Sequence, residues 1–354
     1  MSDALLEVED LRVTFPARRR RPPARAVDGL DLRVDRGEII ALVGESGCGK
    51  STLARVLVGL VKPTGGAVRY DGQPLGYRSA ALKAHRRAVQ LILQDPYSAL
   101  NPRQTVFDAV AEGPRLHRLR TGLRERVIDS LSRAGLRPPE QFLERYPFEL
   151  SGGQQQRVVI ASALALEPSM LVADEPVASL DASVRGEILA LILRLREELG
   201  LSALVISHDL GLAWNIADRV AVMYLGRIVE QGRVEDVLLH PRHPYTKALL
   251  AVSPDADRDT APPLIAGEPP DPTAIPAGCR FHPRCPRRLE LAAQGVDVSS
   301  CESSDVALAP VDGVEVACRF VEAGTGTVSA TDAEADRAPT AAQPVTPPAR
   351  TSSR

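Results

Sequence analysis

The stretch Gly44 to Thr52, GESGCGKST, constrains this chain more than any other, because it sets three glycines in a nine-residue loop between two apolar segments of different periodicity. Before it, Ile39 to Val43 is a continuous apolar run, the signature of a buried strand. After it, Leu53, Val56, Leu57 and Leu60 recur at helical spacing. Gly44, Gly49, Lys50 and Ser51 meet the pattern G-x-x-x-x-G-K-[ST] of a phosphate cradle, and the flanking strand and helix are the context that the pattern needs. Glycines let backbone N–H groups converge on phosphate oxygens, and the helix starting near Lys50 adds the positive end of its dipole. Lys50 can reach the outer phosphates and the Ser51 hydroxyl can ligate Mg²⁺, while Glu45, Ser46, Gly47, Cys48 and Thr52 complete the loop. A plain turn with one exposed lysine would need neither flank.

The length of 354 residues suits one large domain with an appendage, or two ordinary ones. A net charge of -2 gives no reason to expect nucleic acid as a partner. No run of about 18 apolar residues exists, and the first ten residues are acidic where a secretory signal is basic and then apolar. The chain is therefore expected in the cytoplasm, with its cysteines reduced and read first as thiols or metal ligands.

Along the chain, Leu6, Val8, Leu11, Val13 and Phe15 nearly alternate with polar residues, predicting a half-buried strand with an irregularity near Glu9 and Asp10. By position alone Phe15 is a core aromatic; its alternative use is as a platform for adenine. Residues 16 to 25 form a basic, proline-interrupted loop without aromatics, hence a solvated excursion rather than a nucleic-acid patch. Turn clusters flank a short strand around Val68 to Tyr70, and the apolar run Val89 to Leu93 delivers Gln94 to a strand end. Thr105 to Leu136 has helical periodicity and reads as an insertion.

The segment LSGGQQQR places Ser151 as a helix cap, but Gly152, Gly153 and the glutamines from Gln154 onward exceed what a cap needs. A short apolar strand then ends in Asp174 and Glu175. Two adjacent acids at a core-strand end are costly unless a cation or a water uses them. One can hold Mg²⁺ with Ser51, and the other can polarise a water. Val184, Ile188, Leu191, Leu195 and Leu199 mark an amphipathic helix, and the strand ALVISHD brings His208 to another strand end. Strands alternating with helices imply a mostly parallel sheet with its ligand site at the strand C-termini. Helices are expected at Val234 to Leu239 and Tyr245 to Ser253; residues 254–321 form a separate extension, and residues 322–354 a disordered tail.

Taken together, GESGCGKST, Gln94, LSGGQQQR, LVADEP, Ser179-Leu180-Asp181 and His208 resemble the ordered motif set of an ATP-binding cassette (ABC) ATPase across residues 5 to 253. The resemblance implies an α/β P-loop NTPase cassette with a mostly parallel core sheet, antiparallel N-terminal strands, and a helical subdomain at about 100–165. It also implies ATP and Mg²⁺ as ligands. Lys50 and the loop would bind phosphates, Ser51 and Asp174 would hold Mg²⁺, and Glu175 would be the general base. His208 would contact the γ-phosphate, and Gln94 would sense metal and water and relay their state to a membrane partner. Phe15 matches the adenine-stacking position, which reverses its reading. Two cassettes of this family close head to tail, so that Ser151, Gly152, Gly153 and Gln154 cover ATP in the partner's cradle. Asp181 is retained in the loop after Glu175, whereas Ala178 stands where the family commonly has serine.

MYLGRIVEQG, HPRHPYTKALL and IPAGCRFHPRCP further resemble the dipeptide, oligopeptide and nickel importers, carrying the likeness to about residue 320. This implies a peripheral subunit on the cytoplasmic face of the membrane. Its partners would be a second cassette, two permease subunits and an extracytoplasmic substrate-binding protein. Peptides are the favoured cargo and nickel the alternative. A soluble ATPase acting on DNA or ribosomes would instead carry two cassettes, long heptads or basic patches.

Cys279, Cys285, Cys301 and Cys318 are spaced C-x5-C, C-x15-C and C-x16-C. Without a C-x-x-C knuckle a zinc ribbon is not indicated. Four thiolates suffice for a [4Fe–4S] cluster, which the resemblance associates with this extension; zinc or unligated thiols are the alternatives. Cys48, inside the cradle, needs no chemical role.

Overall fold

Two sheets organise the chain, which was analysed as a computed structural model describing residues 4–17, 22–251, 271–323 and 326–327. The alternating N-terminal segment forms β1 (Ala4–Phe15), which pairs antiparallel with β2 (Ala24–Asp35) and with β4 (Gly65–Tyr70). With β5 (Gln73–Pro74) the order is β2-β1-β4-β5. The irregularity expected near Glu9 is real. Asp10 has φ +43°, and the β1–β4 register shifts between Glu9 and Arg12. The centre of the basic loop, residues 18–21, lies outside the described residues.

The second sheet has β3 (Ile39–Val43) at its heart, buried at all five positions as a continuous apolar run predicts. It lies parallel to β8 (Ser202–Ser207) on one side and β9 (Arg219–Tyr224) on the other. Beyond β8 come β7 (Met170–Asp174) and β6 (Val89–Ile92), both parallel. Beyond β9 the sheet turns antiparallel through β10 (Arg227–Arg233).

Alternate residues of these strands feed two separate cores, because successive side chains point to opposite faces. Ile40, Leu42, Val172, Leu204 and Ile206 pack under the N-terminal sheet and the helix Lys50–Leu57. Ile39, Ala41, Val43, Leu171 and Val205 pack against the helices Gly152–Leu164 and Ala182–Leu199. The C-terminal ends of β3, β6, β7 and β8 therefore share one sheet edge, where Gly44, Gln94, Asp174 with Glu175, and His208 emerge.

The helical insertion divides into Val106–Leu116 and Leu123–Arg133, with left-handed Arg118 and Gly122 between them. The C-terminal extension is joined to the cassette more closely than its separation at residue 254 suggested. Its strands β11 (Ala309–Val311) and β12 (Val314–Val316) continue the main sheet, with Val316 opposite Glu230 of β10. At the start of the expected tail, Glu322–Ala323 pairs antiparallel with Gly326–Thr327. The remainder of the tail, like residues 252–270, lies outside the described residues.

Candidate nucleotide site

The loop after β3 curls around its own lysine. Lys50 is buried, and its Nζ donates to the carbonyls of Gly44 at 2.7 Å and Glu45 at 2.9 Å. Gly49, the residue before the helix, has φ +112°, and a Cβ there would stand 2.1 Å from the Ala26 carbonyl oxygen. Only glycine fits this place. Cys48 is buried beside Lys50, its thiol pushed up by burial, with the ammonium opposing the shift. It is a packing residue, as the sequence suggested.

Ser51 Oγ donates to Asp174 Oδ1 at 3.2 Å, joining the first turn of the helix to the end of β7. Burial raises the Asp174 pKa; the Ser51 hydrogen bond opposes this, and the Glu175 charge adds to it. A divalent cation would relieve that penalty. The donors suit Mg²⁺, which is usually held by one or two protein oxygens with phosphate and water oxygens completing the shell.

Glu175 has φ +49°, a conformation that costs a non-glycine residue about 1–3 kcal/mol and concentrates at functional sites. Its surroundings over-determine it: its N–H donates to Ile206 O at 3.0 Å, and its carbonyl accepts from Ala178 N at 3.2 Å. The carboxylate is held from both sides. Oε2 accepts from Gln94 Nε2 at 3.1 Å, and Oε1 lies 3.3 Å from His208 Nδ1. Gln94 thus bonds the acid next to Asp174. His208 is 65% exposed, so its ring stands at the mouth of the site. Phe15 is 42% exposed at the end of β1, which removes the core reading.

Ser151 caps its helix through a reciprocal box. Its Oγ accepts from Gln154 N at 3.3 Å, while Gln154 Oε1 accepts from Ser151 N at 3.0 Å. Gln155 is buried and donates to Pro147 O at 2.8 Å. A Cβ on Gly153 would press to 2.6 Å from Val184 Cγ1. Several residues of the motif thus also have partners within their own chain. Gly152 is different: a Cβ there would meet only an ordinary contact, at 3.6 Å from Leu180. Asp181 precedes the helix Ala182–Leu199 without a side-chain cap bond, and is exposed. Among the described residues, no hydrogen bond or ion pair joins Ser151–Gln154 to Gly44–Thr52.

Residues 27–178 match the family described as ABC transporter, and residues 229–290 match the oligopeptide/dipeptide transporter C-terminal region. A probable peptide ABC transporter ATP-binding protein, y4tS of Sinorhizobium fredii, is 44% identical over 329 residues, 90% of each chain. OppF, the oligopeptide transport ATP-binding protein of Salmonella typhimurium, is 44% identical over 80% of this chain and 88% of its own. This chain belongs to the ABC transporter family.

Solved ABC proteins share its fold. CbiO1 of Clostridium perfringens, described as part of the transporter complex cbiONQ, superposes with a TM-score of 0.60 at 31% identity, covering 68% of this chain and 92% of that one. The cassette MJ0796, in a dimeric post-hydrolysis state bound to ADP and phosphate, gives 0.58 at 29% identity, covering 65% and 98%. The ABC chain described here hydrolyses ATP, and none of its described helices is long and apolar enough to cross a membrane.

Two residues of this ABC site escaped sequence reasoning. Tyr245 OH accepts from Glu45 N at 2.8 Å, and Arg284 forks onto the Glu45 carboxylate at 2.8 and 3.1 Å. They come from 200 and 239 residues away, and only their places in HPYTKALL and CRFHPRC could have hinted at them. Tyr245 is aimed by a buried acid: Glu230 accepts from Arg242 N and His243 N at 2.7 and 3.0 Å, and His243 Nδ1 accepts from Tyr245 N at 3.0 Å.

The four late cysteines line one cavity of about 20 Å³. Burial pushes Cys279 up to about 11 and Cys318 up to about 12, so both sit as neutral thiols. Among the described residues no group of three or more histidine, cysteine or acidic side chains converges as a metal site. The four thiols share the cavity without closing on one point.

Proposed function

We propose that this subunit uses MgATP hydrolysis to drive peptide import through partner permeases. The observation that carries the reading is Glu175, held between Gln94 and His208 next to the Ser51–Asp174 pair at the mouth of the cradle. Glu175 would accept the proton of the attacking water, while Lys50 and the loop N–H groups bind the phosphates. Mg²⁺, bound through Ser51 and Asp174, would neutralise charge on the phosphate oxygens. Phe15 would stack on adenine. Because the Asp181 side chain caps nothing and a Cβ at Gly152 would meet only an ordinary contact among the described residues, they and the rest of Ser151–Gln154 are assigned to nucleotide held by a second cassette.

A groove of about 530 Å³, lined by Gln90, Leu93, Asn101, Gln104, Glu112 and Val159 among others, opens at the segment that precedes Gln94. It suits a cytoplasmic segment of a permease, whose movement Gln94 would pass to Glu175. The chain would then sit peripherally on the cytoplasmic face, with an extracytoplasmic binding protein delivering cargo to the permeases. Relatives described as peptide, oligopeptide and dipeptide transport proteins favour peptides over nickel. Isolation from solubilised membranes is expected to recover two permeases and a second cassette with this chain. Recovery of ribosomes or DNA in their place would reverse the assignment.

The cysteine cavity is assigned to a [4Fe–4S] cluster. Four thiol donors share the cavity with Arg288 and Arg319, whose buried Nε–H groups have no acceptor among the described residues, and such donors suit an anionic cluster. Protein purified without oxygen is expected to hold about four iron and four sulfide per chain. A colourless protein free of both, or one holding zinc, overturns this assignment.

A further inference from the structure

The segment Cys279–Cys285, CRFHPRC, has two faces. Its terminal cysteines line the cavity of the extension, while Arg280, Phe281 and Arg284 lock onto the cassette. Phe281 is 1% exposed and packs edge-on against Tyr224 and Tyr245, with ring centroids 5.2 and 5.4 Å away. Arg280 donates to Asp28 Oδ2 of β2 at 2.6 Å and to the Leu225 carbonyl. These contacts hold the segment rigidly over the start of the phosphate loop.

Arg284 reaches furthest. Nη1 and Nη2 donate to the two oxygens of Glu45, and Nη1 also reaches Tyr224 OH at 3.3 Å. The Arg284 side chain is 9% exposed and that of Glu45 is 19% exposed, so the pair is largely shielded from water. A planar guanidinium fork fixes both the charge and the direction of a carboxylate. Glu45 is also the residue whose carbonyl accepts from Lys50 Nζ, and whose N–H is tied to Tyr245. An acidic side chain in a loop that receives a triphosphate is unfavourable unless it is neutralised and turned away. Without a partner it would repel the phosphates and compete for Lys50.

We propose that Arg284 is a positioning residue of the nucleotide site, neutralising Glu45 and holding it off the phosphates, so that the cysteine-bearing extension sets the cradle's affinity. This deepens the reading of Gly44–Thr52 as the ATP cradle and rests on it. The extension, which lies outside the chemistry of the strand ends, then becomes part of the working site.

The experiment is a double-mutant cycle on the full chain, measuring equilibrium binding of a fluorescent ATP analogue with Mg²⁺, alongside thermal melting without nucleotide. Arg284→Gln is expected to weaken binding about tenfold by leaving a shielded carboxylate unpaired. Arg284→Lys should recover part of the loss, since it restores charge but not the fork. Adding Glu45→Gln to Arg284→Gln should return affinity to within about threefold of the parent, because no charge remains to repel the phosphates. The double variant removes both charges and keeps the packing, so it remains informative if Arg284→Gln alone folds poorly. A double variant as weak as Arg284→Gln, or an Arg284→Gln protein that binds like the parent, overturns the proposal. If the parent does not bind the nucleotide and Lys50→Ala is no weaker, the cradle reading fails instead.

Discussion

Glu175→Gln is expected to slow ATP turnover about a hundredfold to ten-thousandfold, the usual range for removing a general base. The substitution keeps shape and hydrogen bonding. An amide oxygen still accepts from Gln94 Nε2, and an amide N–H can meet His208 Nδ1, so the groups that hold the side chain at 3.1 and 3.3 Å retain partners. The strained backbone at φ +49° is fixed by Ile206 and Ala178 through main-chain bonds that the change does not touch. Stability should therefore move by less than about 1 kcal/mol while proton acceptance is lost. With ATP bound and not consumed, the closed pair of cassettes should accumulate. Phosphate release by the assembled transporter, together with size-exclusion of the variant in MgATP, measures both effects. Near-normal turnover would remove Glu175 from the chemistry and reopen the assignment of the base.

Gly49→Ala should be the most damaging small change in the cradle. The φ of +112° costs an alanine about 1–3 kcal/mol. The new methyl would also sit 2.1 Å from the Ala26 carbonyl and 2.9 Å from Met223 Cε, and overpacking of this kind adds about 1–3 kcal/mol more. Neither obstacle gives way easily, since Ala26 belongs to β2 and Met223 is a fully buried residue of β9. Gly47 provides the control: its φ is +80°, yet a Cβ there meets nothing within 4 Å. Gly47→Ala should thus show the strain alone, and Gly49→Ala the strain plus the clash. Thermal melting of the two variants separates the contributions, and melting points within about 1 °C of each other would contradict the packing argument.

Most of the site was legible because its residues occupy the ends of strands that announce themselves. Ile39–Val43, Val89–Ile92, Met170–Asp174 and Ser202–Ser207 are short apolar runs, and in a parallel sheet such runs must deliver their next polar residue to the same edge. Gln94, Glu175 and His208 meet there because of that rule, although each is far from the others in sequence. Phe15 was harder. Alternation placed it on a strand, but whether the last position of β1 is covered depends on what packs beyond it, which periodicity does not contain. The local partners of the glutamines after Ser151 were not legible either: a reciprocal cap and a buried amide bond to Pro147 use two of them.

The sequence by itself determined the cradle, the order of the strands' functional ends and the family, because glycine spacing and apolar periodicity are local properties of a chain. Tertiary structure alone decided that Arg284 grips Glu45, that Tyr245 holds the same residue's N–H, and that β11 and β12 extend the cassette's own sheet. Those contacts bridge separations of up to 239 residues. Their partners are chosen by the packing of Phe281 between two tyrosines and by the burial of charge that must then find an opposite, and neither leaves a periodic mark in the sequence.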